Sequence, residues 1–253
     1  MPSTVYSFSS TTELSGGLNA FVEKVSREAI ADHGAVSVAI SGGSLPKLLS
    51  KDLVHNKNVD FSKWHMFWAD ERCVGHDHDD SNYKEVKKTL LDHVPIPTNQ
   101  IHSIHEAYAI NKQSEKAAEE YQQQVVSFFG GNGSLPRFDL ILLGMGPDGH
   151  CCSLFPGHPL LQEANLLVAP INDSPKPPPE RITLTFPVLN HAKTVVFVTA
   201  GEGKQDMVQK IIEEPQLQLP CQRVQPNAGH VYWFVDDAAA GKLKQASYGT
   251  YKL

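Results

Sequence analysis

Hydrophobic positions along the chain alternate between helical spacing and the short continuous runs that are typical of buried strands. Within residues 18–31, apolar side chains recur three and four positions apart, which predicts an amphipathic helix. Residues 35–40 form a short run rich in β-branched residues that stops at a glycine turn. Pro46 follows just beyond that turn, where proline is tolerated at a helix start. The order strand, glycine turn, helix is therefore predicted for this part of the chain.

The same order recurs downstream. Apolar runs at residues 64–68, 138–143 and 194–199 each end in a polar or glycine-rich segment, and a helix is predicted over residues 204–212. Strands that alternate with helices indicate a parallel sheet that is covered on both faces. We therefore expect an α/β fold in a single domain, residues 1–253, with a mainly parallel, doubly wound sheet. Ligands of such sheets bind at the carboxyl ends of the strands.

Composition narrows the functional classes. With 253 residues, of which 41% are hydrophobic, the chain can bury a sizeable core. Its formal net charge of −6 argues against binding of nucleic acid or of a membrane surface, because proteins that neutralise those phosphates usually carry a clustered positive excess. A small anionic substrate remains compatible with this charge, since a few local cations are enough to bind it.

Cysteine usage and the termini predict a cytoplasmic location. The four cysteines lack a C-x-x-C spacing, which fits reduced thiols better than a zinc site or a disulfide framework. The first residues show no signal-peptide pattern, and no apolar run reaches the roughly eighteen residues of a membrane span. The end Tyr251-Lys252-Leu253 shares two residues with the peroxisomal Ser-Lys-Leu signal. Because its small residue is missing, an ordinary tail is the favoured alternative.

The segment Gly144-Met-Gly-Pro-Asp-Gly-His150 is the strongest chemical signal in the chain. Its glycines, proline and aspartate follow an apolar run directly and force a tight irregular turn, which brings His150 to the carboxyl edge of the sheet. Histidine can take a proton from water and return it near neutral pH. Asp148 is placed to orient the ring or to raise its basicity. General acid/base catalysis by His150 is therefore predicted over the alternative of a structural histidine.

Two further segments follow predicted strands. The turn Ser41-Gly-Gly-Ser44 can hold an anion on its backbone N–H groups and on the N-terminus of the next helix. A plain glycine-rich turn is the alternative, and neither of the common nucleotide-binding glycine motifs is present. The segment Asp70-Glu-Arg72 places two carboxylates and a guanidinium beside a substrate, where the arginine can bind phosphate or a developing oxyanion. An ion-pair network is its structural alternative.

Two cations and a histidine-rich loop complete the candidates. Lys204 is expected in the first turn of a helix, where the helix dipole disfavours a cation unless an anion is present, so it is a candidate phosphate ligand. Arg181 is a second candidate cation, with a structural salt bridge as an equal alternative. The loop His76-Asp-His-Asp-Asp80 is more typical of a solvated turn than of a metal site, and we expect no metal. Ser81 is expected to begin the next helix.

Together these segments resemble the 6-phosphogluconolactonase family. The resemblance implies hydrolysis of 6-phospho-D-glucono-1,5-lactone to 6-phosphogluconate, the second step of the oxidative pentose phosphate pathway. It also implies a fold shared with glucosamine-6-phosphate deaminase and ribose-5-phosphate isomerase. No cofactor is implied, the expected partner is the sugar phosphate, and a monomer is expected with an oligomer left open. The motifs that carry the resemblance are Ser41-Gly-Gly-Ser44, Trp68-Ala-Asp-Glu-Arg-Cys-Val74, Asp80-Ser-Asn-Tyr83, residues 144–157, Pro177-Pro-Pro-Glu-Arg-Ile-Thr183 and Gly201-Glu-Gly-Lys204.

Residue roles follow from this resemblance and from the chemistry of the side chains. His150 is expected to activate water, Arg72 to stabilise the oxyanion, and Asp148 to support the imidazole ring. Asp70 completes the expected catalytic set. The residues expected to bind the substrate and its phosphate are Ser41, Gly42, Gly43, Ser44, Arg181 and Lys204.

Two alternatives remain open. The related deaminases have similar glycine loops, but theirs continue with Asn-Glu-Pro where this chain has Ser153-Leu-Phe-Pro156. Their Asp-Glu-Tyr is here Asp70-Glu-Arg72, which suits a reaction that builds negative charge on a carbonyl oxygen. A non-catalytic sugar-phosphate sensor is disfavoured because His150, Asp148 and Arg72 are all present. Ser153 is expected to cap the next segment rather than to act as a nucleophile.

Overall fold

A seven-stranded parallel sheet forms the centre of the computed structural model, which describes residues 3–131 and 133–251. The strands are β1 (Thr4–Phe8), β2 (Val36–Ile40), β3 (Trp64–Trp68), β4 (Asp70–Arg72), β5 (Ile101–His102), β6 (Leu140–Leu143), β7 (Val168–Ile171), β8 (Arg181–Leu184), β9 (Thr194–Thr199) and β10 (His230–Asp236). The order in the large sheet is β1-β10-β9-β6-β2-β3-β5, and every neighbouring pair is parallel.

The strands β4, β8 and β7 form a small antiparallel sheet beside the large one. Only Ala69 separates the end of β3 from the start of β4, so the chain passes directly from one sheet to the other. Asp70 pairs with Thr183, and Arg72 pairs with Arg181. The second sheet was not predicted, and it places two of the candidate arginines side by side at the carboxyl edge of the large sheet.

Helices connect the strands on both sides of the large sheet. The α-helices are α1 (Thr11–His33), α2 (Leu45–Leu53), α3 (Asn82–Val86), α4 (Glu106–Ile110), α5 (Ser114–Phe128), α6 (Phe186–Leu189), α7 (Gln205–Glu213), α8 (Pro220–Arg223) and α9 (Asp237–Ala240). Short 3-10 turns occur at Phe61–Lys63, Thr98–Gln100, Pro159–Gln162, Glu202–Lys204, Pro215–Leu217 and Gln245–Ser247, and a π-helical segment occurs at Lys87–Leu91.

The first helix is longer than the predicted residues 18–31. The side chain of Ser10 accepts a hydrogen bond from the backbone N–H of Glu13 at 3.2 Å and caps the N-terminus. Gly34, with φ of +86°, ends the helix in the left-handed conformation that glycine adopts without strain. The sequence contains both end signals, but the apolar stripe alone covers only the middle of the helix.

Hydrophobic side chains pack against both faces of the sheet. All residues of β2 are buried. Val38 packs in one cluster with Leu18 of α1, whereas its neighbour Ala39 packs in the other cluster with Tyr121 of α5. Successive residues of a strand point to opposite faces, so one strand contributes to both cores. The predicted α/β fold class, with a mainly parallel sheet and helices on both faces, is confirmed.

Within the described residues, no helix is long and apolar enough to cross a membrane. At the end of the described chain, the ring of Tyr251 packs edge-on against Tyr6, with 5.1 Å between the ring centroids. Lys252 and Leu253, the residues shared with the peroxisomal signal, lie outside the described residues.

Candidate active site

The carboxyl ends of β2, β6 and β9 open into a cavity of about 160 Å³. The glycine turn after β2, the histidine loop after β6 and the segment after β9 form its walls, together with β4. The predicted residues that line it are Ser41, Gly42, Gly43, Ser44, Asp70, Arg72, His150, Arg181 and Lys204. Asp148, the remaining predicted site residue, contacts the imidazole of His150. The structure therefore brings the predicted site residues together around one cavity.

The histidine loop folds back on itself to present its imidazole. The N–H of Gly146 donates to the carbonyl of His150 at 2.9 Å, and the N–H of Gly149 donates to the carbonyl of Gly146 at 3.0 Å. Gly149 has φ of +81°, a conformation that residues with a side chain rarely adopt. A Cβ atom on Gly146 would lie 2.0 Å from the ring of His150. The loop therefore requires glycine at both positions to place the ring at the cavity wall.

Asp148 holds the imidazole of His150 by its Nδ1 atom. The distance between Nδ1 and Oδ1 of Asp148 is 2.5 Å, and the side chain of His150 is only 17% exposed. Because an ionised carboxylate only accepts, the proton of a neutral ring lies on Nδ1, and Nε2 is free to act as a base. Burial lowers the pKa of His150, while Asp148 opposes this shift and Lys176 adds to it. The neutral ring therefore predominates at neutral pH.

Asp148 remains ionised beside this ring. Burial disfavours its charged form, but the hydrogen bond and charge of His150, together with the hydrogen bond of Lys176, hold the pKa of Asp148 down at about 2. The arrangement is a neutral imidazole backed by a carboxylate, which is the geometry of a general base. This pairing was predicted from the sequence, and the contact is present.

The glycine turn after β2 packs closely against α3. A Cβ atom on Gly42 would lie 1.9 Å from Oδ1 of Asn82, whose Nδ2 donates to the carbonyl of Asp70 at 2.9 Å. Ser41 is already bound to protein groups, since its N–H donates to Leu142 and its hydroxyl donates to Asp70. The free donors of the turn are thus expected from its later residues, which lead into α2. A helix N-terminus of this kind favours anions.

Asp70 joins two walls of the cavity. One carboxylate oxygen accepts from the hydroxyl of Ser41 at 3.2 Å, and the other accepts from the hydroxyl of Ser153 at 3.0 Å. The prediction that Ser153 caps the next segment is wrong, because its hydroxyl is directed at this buried carboxylate. Asp70 therefore ties the glycine turn after β2 to the histidine loop after β6.

Glu71 does not face the cavity, although the sequence suggested that both acidic residues lie beside the substrate. Its carboxylate accepts from the backbone N–H groups of Arg72, Asn82 and Tyr83 at 2.7 to 2.8 Å. Burial raises the pKa of Glu71 to about 7, while these N–H groups favour the charged form. Alternation along β4 sends neighbouring side chains to opposite faces, so Glu71 anchors the start of α3 instead.

Arg72 reaches the cavity from the end of β4. Its Nη1 donates to the carbonyl of Asp80 at 2.8 Å. Its Nε–H is buried and, within the described part of the chain, has no hydrogen-bond partner. The guanidinium therefore carries donor capacity that the protein does not use.

Arg181 and Lys204 both line the cavity, but each also holds a loop. Nε and Nη2 of Arg181 donate to the carbonyls of Lys176, Pro177 and Pro178 at 2.8 to 3.1 Å. Nζ of Lys204 donates to the carbonyl of Met145 at 2.9 Å, and Lys204 directly precedes α7. Since an ammonium has three donors, Lys204 retains donors for a ligand.

Three residues of the site were not predicted from the sequence. Asn82 lines the cavity and was noted only within the motif Asp80-Ser-Asn-Tyr83, and Thr199 lines it at the end of β9. Lys176 lies with its Nζ atom 3.1 Å from Oδ1 of Asp148 and 3.3 Å from Nδ1 of His150. A lysine among four prolines carries no signal of this role, because the contact depends on how the loop between β7 and β8 folds back.

The histidine-rich loop, residues 76–80, does not line the cavity and makes structural contacts elsewhere. The ring of His76 stacks on Tyr83 with 4.2 Å between centroids, and Asp79 pairs with Lys84 at 2.6 Å. Ser81 caps α3, as predicted, by accepting from the N–H of Lys84 at 3.2 Å. Among residues 3–131 and 133–251, no group of three or more histidine, cysteine or acidic side chains is arranged to hold a metal ion.

Similarity to known proteins extends over most of the chain. A sequence model of the family described as "Glucosamine-6-phosphate isomerases/6-phosphogluconolactonase" matches residues 9–233. A Schizosaccharomyces pombe protein named "Probable 6-phosphogluconolactonase" is 44% identical over 250 residues, covering 96% of this chain and 97% of its own. The human protein named "6-phosphogluconolactonase" is 43% identical over 248 residues, covering 96% of this chain and 94% of its own.

The fold is also found among solved structures. The crystal structure of the 6-phosphogluconolactonase of Thermotoga maritima is similar with a TM-score of 0.79 at 26% identity. The similarity covers 92% of this chain and 99% of that one. The fold of this chain is thus already known in related proteins.

Proposed function

The chain belongs to the family of glucosamine-6-phosphate isomerases and 6-phosphogluconolactonases, and within that family we propose that it hydrolyses 6-phospho-D-glucono-1,5-lactone to 6-phosphogluconate. The observation that carries this proposal is the contact of His150 with Asp148 in the same cavity as Arg72. Relatives that share more than two fifths of its residues over nearly the whole chain bear the lactonase name. The reaction is the hydrolytic step of the oxidative pentose phosphate pathway.

The proposed mechanism uses His150 as a general base. Nε2 of the neutral imidazole takes a proton from water while the water oxygen bonds to the lactone carbonyl carbon. Asp148 stabilises the histidinium that forms. When the tetrahedral intermediate collapses, the bond between the carbonyl carbon and the ring oxygen breaks, and the histidinium returns its proton to that oxygen. One water is consumed, and the products are a carboxylic acid and a free hydroxyl group.

Arg72 is proposed to stabilise the oxyanion. Its guanidinium lines the cavity, and within the described residues only its Nη1 is hydrogen-bonded, to the carbonyl of Asp80, so donor capacity is available for a developing negative charge. Asp70 is proposed to act by holding the turn at Ser41 and the loop at Ser153 in fixed relative positions. It is thus assigned a positioning role within the predicted catalytic set.

The phosphate of the substrate is proposed to bind opposite the base. The backbone N–H groups of Gly42, Gly43 and Ser44 lead into the N-terminus of α2, where an anion is stabilised by the helix dipole. Lys204 supplies a cation from the neighbouring wall. Arg181 contributes positive charge to the cavity, while its Nε and Nη2 hold a loop.

Deamination of glucosamine 6-phosphate is the alternative within the same family. A side chain that stabilises an oxyanion favours ester hydrolysis, and the position that resembles a deaminase tyrosine is Arg72. A coupled assay that follows lactone disappearance above the spontaneous rate tests the proposal. We expect enzyme-dependent lactone consumption and no ammonia from glucosamine 6-phosphate. Ammonia release without lactone consumption would reverse the assignment.

The chain is further proposed to work as one domain, residues 1–253, in the cytoplasm. The first and last strands of the described chain are neighbours in one sheet, since β1 pairs with β10. The cysteines Cys73, Cys151, Cys152 and Cys221 are free and buried, which supports a reducing compartment. A monomeric state stays a prediction, and size-exclusion chromatography with light scattering tests it.

A further inference from the structure

Lys176 occupies a position beside the catalytic pair that the proposed mechanism does not yet use. It lies in the loop between β7 and β8, and its side chain is 35% exposed. Its Nζ atom is 3.1 Å from Oδ1 of Asp148 and 3.3 Å from Nδ1 of His150. The ammonium therefore touches both members of the pair from the side away from Nε2.

The ammonium and the imidazole share a single oxygen. Nδ1 of His150 lies 2.5 Å from Oδ1 of Asp148, and Nζ of Lys176 donates to that same Oδ1. Both nitrogens carry protons when the ring is neutral, so the short distance between Nζ and Nδ1 is not itself a hydrogen bond. Protonation of Nε2 would place a second positive charge next to the ammonium. Lys176 thus fixes the carboxylate and disfavours the histidinium.

The backbone holds Lys176 in this place. Nη2 of Arg181 donates to the carbonyl of Lys176 at 2.8 Å, and the hydroxyl of Ser174 donates to the same carbonyl at 2.9 Å. Arg181 is 3% exposed and also binds the carbonyls of Pro177 and Pro178. The guanidinium therefore acts as a clamp on the loop that carries Lys176.

We propose that Lys176 is a positioning residue of the reaction, which keeps the carboxylate of Asp148 fixed and keeps His150 in the neutral form that accepts a proton from water. The proposal deepens the proposed function and rests on it. In free enzyme, Lys176 and Asp148 act on His150 with opposite signs, so their balance sets the lowest pH at which the base is available. Charged and titratable groups that face His150 or share its cavity are Asp148, Lys176, Asp70, Cys152, Cys221, Arg72, Arg181 and Lys204.

The charges in contact with His150 agree with the directions in which its pKa is shifted. Burial lowers the pKa of His150, Asp148 raises it, and Lys176 lowers it. Removing the charge of Lys176 should therefore raise the pKa of His150, whereas removing the charge of Asp148 should lower it further. If Lys176 only supported the loop, its substitution would leave the pKa of His150 unchanged.

The test combines NMR titration with pH–rate profiles of Lys176→Met, Lys176→Arg and Asp148→Asn. The imidazole resonance of His150 is assigned by its absence from His150→Gln and followed from pH 4 to 9, which needs no substrate. We expect Lys176→Met to move the titration midpoint upward by about 0.5 to 1 pH unit, Lys176→Arg to restore it, and Asp148→Asn to move it downward. Lys51→Met, at the far end of α2, is the matched control and should leave the midpoint unchanged.

The acid limb of kcat/KM for the lactone should move in the same directions as the midpoint. An unchanged midpoint in Lys176→Met, with the protein folded by circular dichroism, overturns the proposal, whether or not the rate is reduced. If the midpoint moves as expected but no variant or wild-type protein consumes lactone, the role of Lys176 at the pair stands and the proposed function fails. The two failures are therefore distinguishable.

Discussion

The imidazole of His150 lies directly over the backbone of Gly146. A Cβ atom built on Gly146 would come within 2.0 Å of both Cε1 and Nδ1 of the ring. The φ angle of Gly146 is not in the left-handed region, so this contact alone prevents a side chain there while the ring keeps its position. The same ring carries the proposed chemistry through Nε2 and holds Asp148 through Nδ1. The position of the base is therefore determined by a residue that has no side chain.

Gly146→Ala should consequently displace the ring. We expect kcat to fall by about 10²-fold or more, because small displacements of a catalytic group cost large factors in rate, and stability to fall by about 1 to 3 kcal/mol through overpacking. Steady-state kinetics and urea unfolding measure the two effects. Gly16→Ala, in the interior of α1, is the matched control. A Cβ atom there would lie 4.0 Å from Oδ2 of Asp52, which is an ordinary contact. That variant should keep full activity and be equally or more stable. Normal turnover in Gly146→Ala would show that the ring of His150 can move without loss of activity.

Much of this site could be predicted because its chemistry is local in sequence. The loop from Gly144 to His150 follows an apolar run and contains its own turn signals, and the pairing of Asp148 with His150 spans two residues. The contact of Lys176 with that pair spans 26 and 28 residues and depends on an antiparallel sheet that sequence patterns did not reveal. Such contacts follow from tertiary packing, which periodicity does not encode.

The outer strand β1 was likewise not predicted from the sequence pattern. β1 has one buried residue in five, so its hydrophobic pattern is weak, and its pairing with β10 joins residues more than 200 positions apart. The inner strands β2 and β6 are buried throughout, and their continuous apolar runs were recognised. Burial on both faces makes a strand visible in sequence, whereas an edge strand depends on its partner.

His150→Ala should lower kcat by about 10² to 10⁴-fold, because water is no longer deprotonated as it attacks the carbonyl. Binding of 6-phosphogluconate should stay largely intact, since the phosphate turn and Lys204 lie on other walls of the cavity. Turnover and isothermal titration calorimetry with the product separate the two effects. His93→Ala, at an exposed position in a turn, serves as the control and should leave turnover unchanged. Near-normal turnover of His150→Ala would remove the residue from the role of base.

Lys204→Met should act mainly on substrate binding. Loss of a charge-assisted hydrogen bond to phosphate should raise KM by about 10-fold or more, while kcat changes by less than about threefold. The bond from Nζ to the carbonyl of Met145 is also lost, so thermal unfolding should be measured beside the kinetics. Lys210→Met, on the exposed side of α7, is the matched control and should leave KM unchanged. An unchanged KM in Lys204→Met would place the phosphate elsewhere.

A partly buried histidine pair far from the base should make the protein sensitive to acid. Nδ1 of His65 lies 3.2 Å from Nε2 of His102, and the ring of His102 stacks on Phe67 with 4.2 Å between centroids. Burial, with the charge of His65 as a smaller cause, lowers the pKa of His102 to about 4. Because the folded state binds this proton more weakly than the unfolded state, the stabilisation is present above pH 6.5 and is lost as the pH falls towards 4.

His102→Phe should therefore lose less stability on acidification than the wild type. Between pH 7 and pH 4.5, the fall in the free energy of unfolding should be smaller by about 1 to 2 kcal/mol, after allowance for partial exposure of the ring. Phenylalanine retains the stacking on Phe67 and removes the titrating group, so the difference reports on the proton. Urea unfolding at a series of pH values provides the measurement, with His93→Phe as an exposed control that should follow the wild-type curve. Parallel curves for His102→Phe and wild type would mean that the pair takes up its protons equally well in the folded and unfolded states.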